Sequence, residues 1–202
     1  MPPLRSIQAR YTLFLVLFVL VLFVLTVVGI GQLVAPTLRH TEEQVVLNRI
    51  SEVAEQIQGE LNKVQSQQRT ITQTIPLLDS AAIDTVLPGL VDQYGDSNVF
   101  GGGIWPLPNK REQGVIKFST FFARNGENKL TVNTHWNSPE SQNYFEQPWY
   151  KDGLNAPKGF CAWAKAYQDD ASPQPRTNCA MAIYKGDEAY GVSTIDVTLG
   201  FF

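Results

Sequence analysis

The sequence has few of the residues that bind metals or nucleic acids. It contains two histidines and two cysteines in 202 residues, and no CxxC or HxxxH spacing occurs. Because protein zinc sites use three or four such ligands, we expect no metal site. The net charge is −3, and no block of Lys or Arg occurs beyond the N-terminus. Since phosphate binding needs a basic patch, we expect no nucleic-acid partner.

Motifs of the common enzyme classes are also missing. The sequence has no GxSxG, no Walker loop and no HExxH. The run Gly101–Gly103 lies within a predicted strand rather than at the start of a helix, so it favours a bulge or close packing over a phosphate cradle. Paired carboxylates such as Asp169 and Asp170 are common on solvated turns. We therefore expect no catalytic residue and no cofactor.

A long apolar run dominates the N-terminus. The segment from Tyr11 to Val34 has no charged residue, which is long enough for the roughly 30 Å hydrocarbon core of a membrane. Arg5 and Arg10 precede it and Glu42 follows it, so the N-terminus is expected in the cytoplasm and the rest outside. The alternative is a cleaved signal peptide, but its apolar region normally has about 7 to 15 residues.

Both cysteines, Cys161 and Cys179, fall in the exported part of the chain. An oxidising compartment permits a disulfide between them, which would stabilise the fold by about 3 kcal/mol. The alternative is a pair of buried free thiols.

A long helix is predicted between Thr41 and Ile75. Its apolar residues recur at steps of three and four, and Thr41 is a good N-terminal cap. The narrow apolar stripe favours a homodimer through this helix, and the alternative is that the helix lies along its own domain. The stripe consists of Val46, Ile50, Val53, Ile57, Leu61, Val64, Ile71 and Ile75.

The rest of the chain predicts an α+β fold, in which helices cover an antiparallel sheet of about five strands. A short helix is expected at Asp79–Gln93 despite Pro88, and hairpin turns at Asn125–Asn128 and Lys185–Glu188. The predicted strands are Val99–Trp105, Val115–Ala123, Lys129–Trp136, Ala180–Tyr184 and Tyr190–Val197.

A long aromatic stretch, His135 to Cys179, separates the third strand from the fourth. Aromatic walls with a few polar groups suit a small-molecule pocket, although the same side chains could simply close the core. Asp196 lies in the middle of the last strand, where a carboxylate needs a partner if it is buried. It could bind a ligand's amino group, or it could face solvent. The stretch contains Trp136, Tyr144, Phe145, Trp149, Tyr150, Phe160, Trp163 and Tyr167, with Asp152, Asp169 and Asp170 between them.

These features together resemble a known family. An apolar N-terminal helix, a long second helix, the segment Gln147–Tyr150, the pair Trp163 and Tyr167, and the strand Gly191–Val197 are similar to the double-Cache sensor domains of bacterial receptors. The segments Phe100–Pro106 and Phe160–Trp163, with Asn178 and Cys179, are most similar to those attached to diguanylate cyclases or phosphatases. The resemblance covers residues 35–202.

The resemblance implies a PAS-like sheet and a ligand site. In amino-acid-binding relatives, the residues that match Trp149 and Tyr150 line the pocket, and the one that matches Asp196 holds the ligand's amino group. Those relatives have an arginine where this chain has Gln147, and a neutral amide cannot offer a charged fork to a carboxylate. The expected ligand-binding residues are Trp149, Tyr150, Trp163, Tyr167, Asp169 and Asp196.

The expected organisation is a cytoplasmic segment 1–10, a transmembrane helix 11–35, a long extracytoplasmic helix 36–76 and a sensor module 77–202. Because double-Cache receptors continue into a second module and an output domain, the chain is expected to be a fragment or a truncated product. The function that follows is ligand sensing in the periplasm, from an anchor in the inner membrane. The alternatives are a module that binds a protein or the cell wall, and a hydrolase that uses Asp152, Asp169 or Asp170.

Overall fold

The computed structural model describes residues 7–169 and 172–200. The chain divides into two compact units, residues 1–56 and residues 57–202. In the first unit, helix α1 (Ile7–Gly29) runs into a π-helical segment, Ile30–Val34, and is followed by the start of helix α2 (Ala35–Thr74). Residues 7–32 form a helix long and apolar enough to cross a membrane, and its Leu, Val and Phe side chains are exposed.

In the second unit, two helices cover one face of a sheet. Helix α2 ends at Thr74, and the turn Ile75–Leu77, which contains Pro76, follows it. Helix α3 (Ser80–Asp92) begins where Asp79 Oδ1 accepts a hydrogen bond from the Ala82 N–H at 2.8 Å, and it contains Pro88. Their buried apolar residues pack against the sheet as one core, which includes Val64, Ile71, Ile83, Leu87, Val91, Ile104, Ile183 and Ile195.

Within the described residues, the sheet has seven antiparallel strands, in the order β3-β2-β1-β7-β6-β4, with β5 also paired to β6. The predicted α+β fold is therefore confirmed. The strands are β1 (Val99–Pro106), β2 (Thr120–Arg124), β3 (Leu130–Asn133), β4 (Ala162–Trp163), β5 (Tyr167–Asp169), β6 (Ser172–Lys185) and β7 (Glu188–Thr198).

The two predicted hairpin turns lie between β2 and β3 and between β6 and β7. Strand β6 is much longer than predicted because it pairs with β7 from Arg176 to Lys185. Strands β4 and β5 lie in the aromatic stretch, which also contains helix α4 (Pro148–Asn155) and the short 3₁₀ turns His135–Asn137 and Tyr144–Glu146. A third such turn, Gln93–Gly95, follows α3.

Candidate functional site

A cavity of about 280 Å³ lies on the face of the sheet opposite helices α2 and α3. Side chains alternate along β7, so Ile195 and Val197 pack into the core under the helices while Thr194 and Asp196 face the cavity. Six aromatic residues line it: Phe100, Trp105, Phe121, Trp136, Trp149 and Tyr167. Its polar side chains are Asn133, Arg176, Asn178, Thr194 and Asp196.

Trp105 is the centre of the aromatic wall. It is 3% exposed, and its ring centroid lies 5.1 Å from that of Trp149, 5.3 Å from Phe121 and 6.0 Å from Trp136. Its Nε1–H donates a hydrogen bond to Thr194 Oγ1 at 2.9 Å. The hydrogen bond at its polar tip and the neighbouring rings thus position the Trp105 indole in the wall.

A bulge in β1 turns Phe100 into the cavity. Val99 pairs with Val197 and Gly101 pairs with Asp196, so Phe100 is an extra residue between two successive pairs. Without the bulge, strict alternation would place Phe100 on the helix-covered face with Ile104. Bulges commonly re-aim side chains beside functional sites.

The glycine run in β1 allows close packing with β2. A Cβ on Gly103 would lie 2.7 Å from Phe121 Cα and 3.0 Å from Phe121 Cδ2. A Cβ on Gly101 would lie 3.3 Å from Phe121 Cζ. Real Cβ atoms essentially never approach backbone atoms to 2.7 Å, and contacts of 3.0 to 3.3 Å are tight, so the glycines allow the Phe121 ring to lie across β1 and form part of the wall.

At the polar end of the cavity, Tyr167 Oη donates a hydrogen bond to Asp196 Oδ2 at 3.0 Å. Burial raises the pKa of Tyr167 far above its usual value, and the charge of Asp196 raises it further. Tyr167 therefore remains a protonated donor at all physiological pH values. Asn178 faces Asp196 across the β6–β7 pair, and its buried Oδ1 has no hydrogen-bond partner in the described part of the chain.

Arg176 lies on the same face of β6, two residues before Asn178, and is 2% exposed. Its guanidinium carbon is 3.9 Å from the centroid of the Phe100 ring and 5.3 Å from that of Tyr167. A cation over two aromatic faces is held by their negative π-clouds. The cavity therefore has a buried cation and a buried carboxylate at its polar end.

Three of the six predicted ligand-binding residues line the cavity: Trp149, Tyr167 and Asp196. Tyr150 is 1% exposed and packs beneath the wall against Tyr144, where burial raises its pKa. Trp163 is half-buried on β4 and packs against the helix-covered core. The side chain of Asp169 lies outside the described residues.

Sequence reasoning missed several lining residues, above all Phe100, Arg176 and Asn178. Alternation along an extended β6 would have placed Arg176 and Asn178 beside Asp196. The run Gly101–Gly103 favours a bulge or close packing, but it does not identify Phe100 as the extra residue. Asp152, a carboxylate considered for hydrolysis, is exposed, and Asp170 lies outside the described residues. Within residues 7–169 and 172–200, no group of three or more His, Cys, Asp or Glu could hold a metal ion.

A disulfide joins Cys161 to Cys179, with their Cα atoms 5.0 Å apart. Helix α2 holds both ends of this link. Gln65 Oε1 accepts from the Cys161 N–H at 3.1 Å, and Gln68 Nε2 donates to the Cys179 carbonyl at 3.2 Å. Cys179 follows Asn178, which lines the cavity. The hydrogen bond from Gln68 to Cys179 therefore connects strand β6 directly to helix α2.

Solved structures with this fold include sensory domains of chemoreceptors and extracellular domains of putative histidine kinases. Methyl-accepting chemotaxis protein X is 16% identical, with a TM-score of 0.65, over 81% of this chain and 65% of that one. The ligand-binding domain of Campylobacter jejuni chemoreceptor Tlp3 in complex with L-valine is 15% identical, with a TM-score of 0.59, over 81% and 62%. The periplasmic sensory domain of Campylobacter jejuni Tlp1 is 14% identical, with a TM-score of 0.59, over 80% and 62%.

This chain thus spans less than two thirds of the length of each of these domains. No curated protein sequence matches it. Residues 90–202 match the family described as methyl-accepting chemotaxis protein-like, first PDC sensor domain. This match covers more than half of the chain and includes strands β6 and β7, which carry Arg176, Asn178, Thr194 and Asp196 of the cavity. The chain belongs to this family of PDC sensor domains, which confirms the Cache-type fold expected from its sequence.

Proposed function

We propose that the chain is the ligand-sensing part of a bacterial transmembrane receptor, and that it binds a small molecule in the aromatic cavity. The observation that carries this proposal is the cavity itself, which is lined by six aromatic residues and by polar side chains that include Arg176 and Asp196. Such a combination is typical of small-molecule sites. Its volume of about 280 Å³ suits a metabolite smaller than a drug. The solved complex of Tlp3 with L-valine supports a ligand of this size.

Helix α1 anchors the sensor in the inner membrane, with the N-terminus in the cytoplasm and the sensor module in the periplasm. The arginines before the apolar run and the glutamates after it support this orientation. The receptor is a homodimer through α2, and the exposed apolar side chains of Val46, Ile50 and Val53 on that helix support this assembly. Its output is that of a chemoreceptor, sensor kinase, diguanylate cyclase or phosphatase, and the chain itself has no enzymatic activity.

Ligand binding shifts the position of α2 relative to the sheet. The hydrogen bonds of Gln65 and Gln68 with the disulfide-linked segments support this route, because they join the helix to the strand that carries Asn178. A ligand can shift such an equilibrium only through different affinities for its two states. The alternative function, binding a protein or the cell wall, requires an exposed aromatic patch. In residues 57–200, most aromatic side chains of the long stretch instead point inward.

A thermal-shift screen of the full chain in detergent micelles tests the proposal, because a ligand that binds the native state raises its melting temperature. The panel contains amino acids, organic acids, amines, purines and sugars. We expect a hit whose shift is lost in Trp149→Ala and Asp196→Asn and kept in Phe160→Ala, a control aromatic that is 53% exposed. The proposal would be refuted if no compound raised the melting temperature, or if every hit kept its full shift in both cavity variants.

A further inference from the structure

A second concave surface of the domain, a groove of about 550 Å³, lies beside the last turns of helix α2. Its walls come from α2, from the segment that precedes strand β4 and from strand β6. It shares no lining residue with the aromatic cavity, so the proposed small-molecule site does not explain it. Its lining residues include Arg69, Leu77, Lys158, Phe160, Ala182 and Tyr184.

Two apolar side chains of the groove remain largely in water. Leu77 is 83% exposed and Phe160 is 53% exposed. Exposed apolar groups that are grouped together and bordered by polar ones mark interaction surfaces, and protein interfaces are enriched in aromatic residues and arginine. The grouping of Leu77 and Phe160 with Arg69 therefore has the composition of an interface.

Two cations stand over aromatic rings in the same groove. Arg69 Nε donates a hydrogen bond to the Gly159 carbonyl at 2.6 Å, and its guanidinium carbon lies 5.3 Å from the centroid of the Phe160 ring. Lys158 Nζ lies 5.0 Å from the centroid of the Tyr184 ring. These contacts orient both positive groups at the groove without neutralising them.

No carboxylate neutralises these two charges. Neither Arg69 nor Lys158 forms an ion pair in the part of the chain that the structure describes, and no Asp or Glu lines the groove. The groove is therefore a positively charged site on a chain whose net charge is −3. Elsewhere in the second unit, carboxylates pair with Lys63, Lys110, Arg111, Arg124 and Lys129.

One wall of the groove is an unpaired edge of the sheet. Strand β4 pairs with β6 only at Cys179 and Ala180, and no other strand of the described residues pairs with this edge beyond Ala180. The Asn178 carbonyl accepts from the Ala164 N–H on the β4 side. Because backbone groups of every second residue point to the same side of a strand, those of Ala182 face the groove. An unpaired strand edge can pair with another chain.

We propose that this groove is the docking site of a protein partner, which binds through an extended segment that carries a carboxylate beside an apolar side chain. The carboxylate pairs with Arg69 and Lys158, and the apolar side chain covers Leu77 and Phe160. The main chain of the segment bonds to the edge of β6, as in strand addition. Charge complementarity favours an acidic segment and disfavours a basic one. The domain then receives a protein as a second input, separate from the small molecule in the cavity.

A library of random short peptides displayed on phage tests this proposal on the full chain in detergent micelles. Empty micelles first remove the peptides that bind detergent. We expect selection on wild type to enrich peptides that combine Asp or Glu with Leu, Ile or Phe. Enriched peptides are then synthesised, and their Kd is measured by fluorescence anisotropy. Versions with Asn and Gln in place of Asp and Glu should bind about tenfold more weakly, because an amide cannot form the charged pairs.

Variants of the groove locate the binding. Lys158→Glu reverses a charge at an exposed position and should weaken the enriched peptides about tenfold or more. Arg69→Met should weaken them as well. Lys151→Glu is the matched control, because Lys151 is also exposed but does not line the groove. Lys158→Glu keeps the test decisive even if Arg69→Met unfolds, since the Lys158 side chain lies at the surface.

Several results would overturn the proposal. These are a selection that enriches no peptide, enriched peptides without an excess of Asp and Glu, and a Kd that Lys158→Glu changes no more than Lys151→Glu does. A smaller oligomer for Lys158→Glu than for Lys151→Glu in sedimentation would instead make the groove a contact between copies of the chain, and the assigned partner would be wrong. None of these results depends on the small-molecule screen.

Discussion

The hydroxyl of Tyr167 donates a hydrogen bond to Asp196 Oδ2 over 3.0 Å and so joins the short strand β5 to the last strand of the sheet. The carboxylate is 8% exposed, and hydrogen bonds to charged groups are stronger than neutral ones. The pair therefore holds the aromatic stretch against the cavity and orients the carboxylate.

Replacing Tyr167 with Phe removes only this hydroxyl. We expect the free energy of unfolding to fall by about 2 kcal/mol, because a buried carboxylate loses a charge-assisted hydrogen bond. Urea denaturation measures the loss. Tyr184→Phe, on β6 outside the cavity, is the control and should change stability little. Equal effects of the two substitutions would show that the Tyr167–Asp196 bond contributes nothing specific.

Gln68 is a fully buried polar residue of helix α2 that bridges two strands. Its Nε2 donates to the Cys179 carbonyl, and its Oε1 lies 3.2 Å from Ser193 Oγ, whose single proton can instead reach the Gly103 carbonyl. Gln68→Leu should cost about 1 to 3 kcal/mol, because a buried acceptor loses its donor. Gln58→Leu, at an exposed position on α2, is the control in the same denaturation assay. If Gln68→Leu left the free energy of unfolding unchanged, the stabilising role of this bridge would be refuted.

The disulfide closes a loop between positions 18 residues apart. A double substitution, Cys161→Ser with Cys179→Ser, should lower the free energy of unfolding by about 3 kcal/mol, because the unfolded chain regains the entropy of an open loop. A reductant should lower the melting temperature of wild type and leave that of the double variant unchanged. A reductant effect on the double variant would point to a cause other than this bond.

The carboxyl group of Asp96 makes the stability of the fold depend on pH. Burial opposes its ionisation, but the hydrogen bond from Lys63, the Asn98 N–H and the charges of Lys63 and Arg124 together lower its pKa below the ordinary 3.8. Its folded pKa is thus below the unfolded one, so the stabilisation is present above about pH 4 and is lost as the pH falls through the folded pKa.

Urea midpoints measured from about pH 5 to pH 2 should therefore decline less in Asp96→Asn than in wild type. The difference should be modest, because Lys63 is about half exposed and water screens the pair. Glu127→Gln removes the charge of a largely exposed partner of Lys129 and is the control, with a pH profile that should match wild type. Parallel profiles for wild type and Asp96→Asn would rule out this contribution.

The helices and most strands could be predicted because apolar residues recur every three or four positions in a half-buried helix and every two positions in a half-buried strand. The long helix expected over residues 36–76 corresponds to α2, which begins at Ala35, six residues before the cap expected at Thr41. Pro36 is well tolerated in a first turn. Strand β6 was predicted only from Ala180. Proline disfavours a strand interior, and Pro173 and Pro175 lie in the preceding stretch, but pairing with β7 extends β6 back to Arg176 and beyond.

A residue of the candidate site could be predicted where its type and its position in a strand were unusual together. A carboxylate at mid-strand, Asp196, signals a need for partners from sequence alone. Arg176 could not be assigned to the site because residues 172–179 were not expected to form a strand. Phe100 could not be assigned because a single extra residue in a strand moves a side chain to the other face of the sheet. The glycine run beside Phe100 favours a bulge, but which residue becomes the extra one depends on pairing with the distant strand β7.

Four polar side chains of the cavity lie on a single hairpin. Arg176 and Asn178 come from β6, and Thr194 and Asp196 come from β7, which pairs with it directly. The aromatic walls, in contrast, come from elements scattered along the chain. One genetic exchange of residues 172–198 would therefore transfer the chemical preference of the sensor between relatives while leaving the shape of its walls behind, so ligand charge and ligand size can evolve separately.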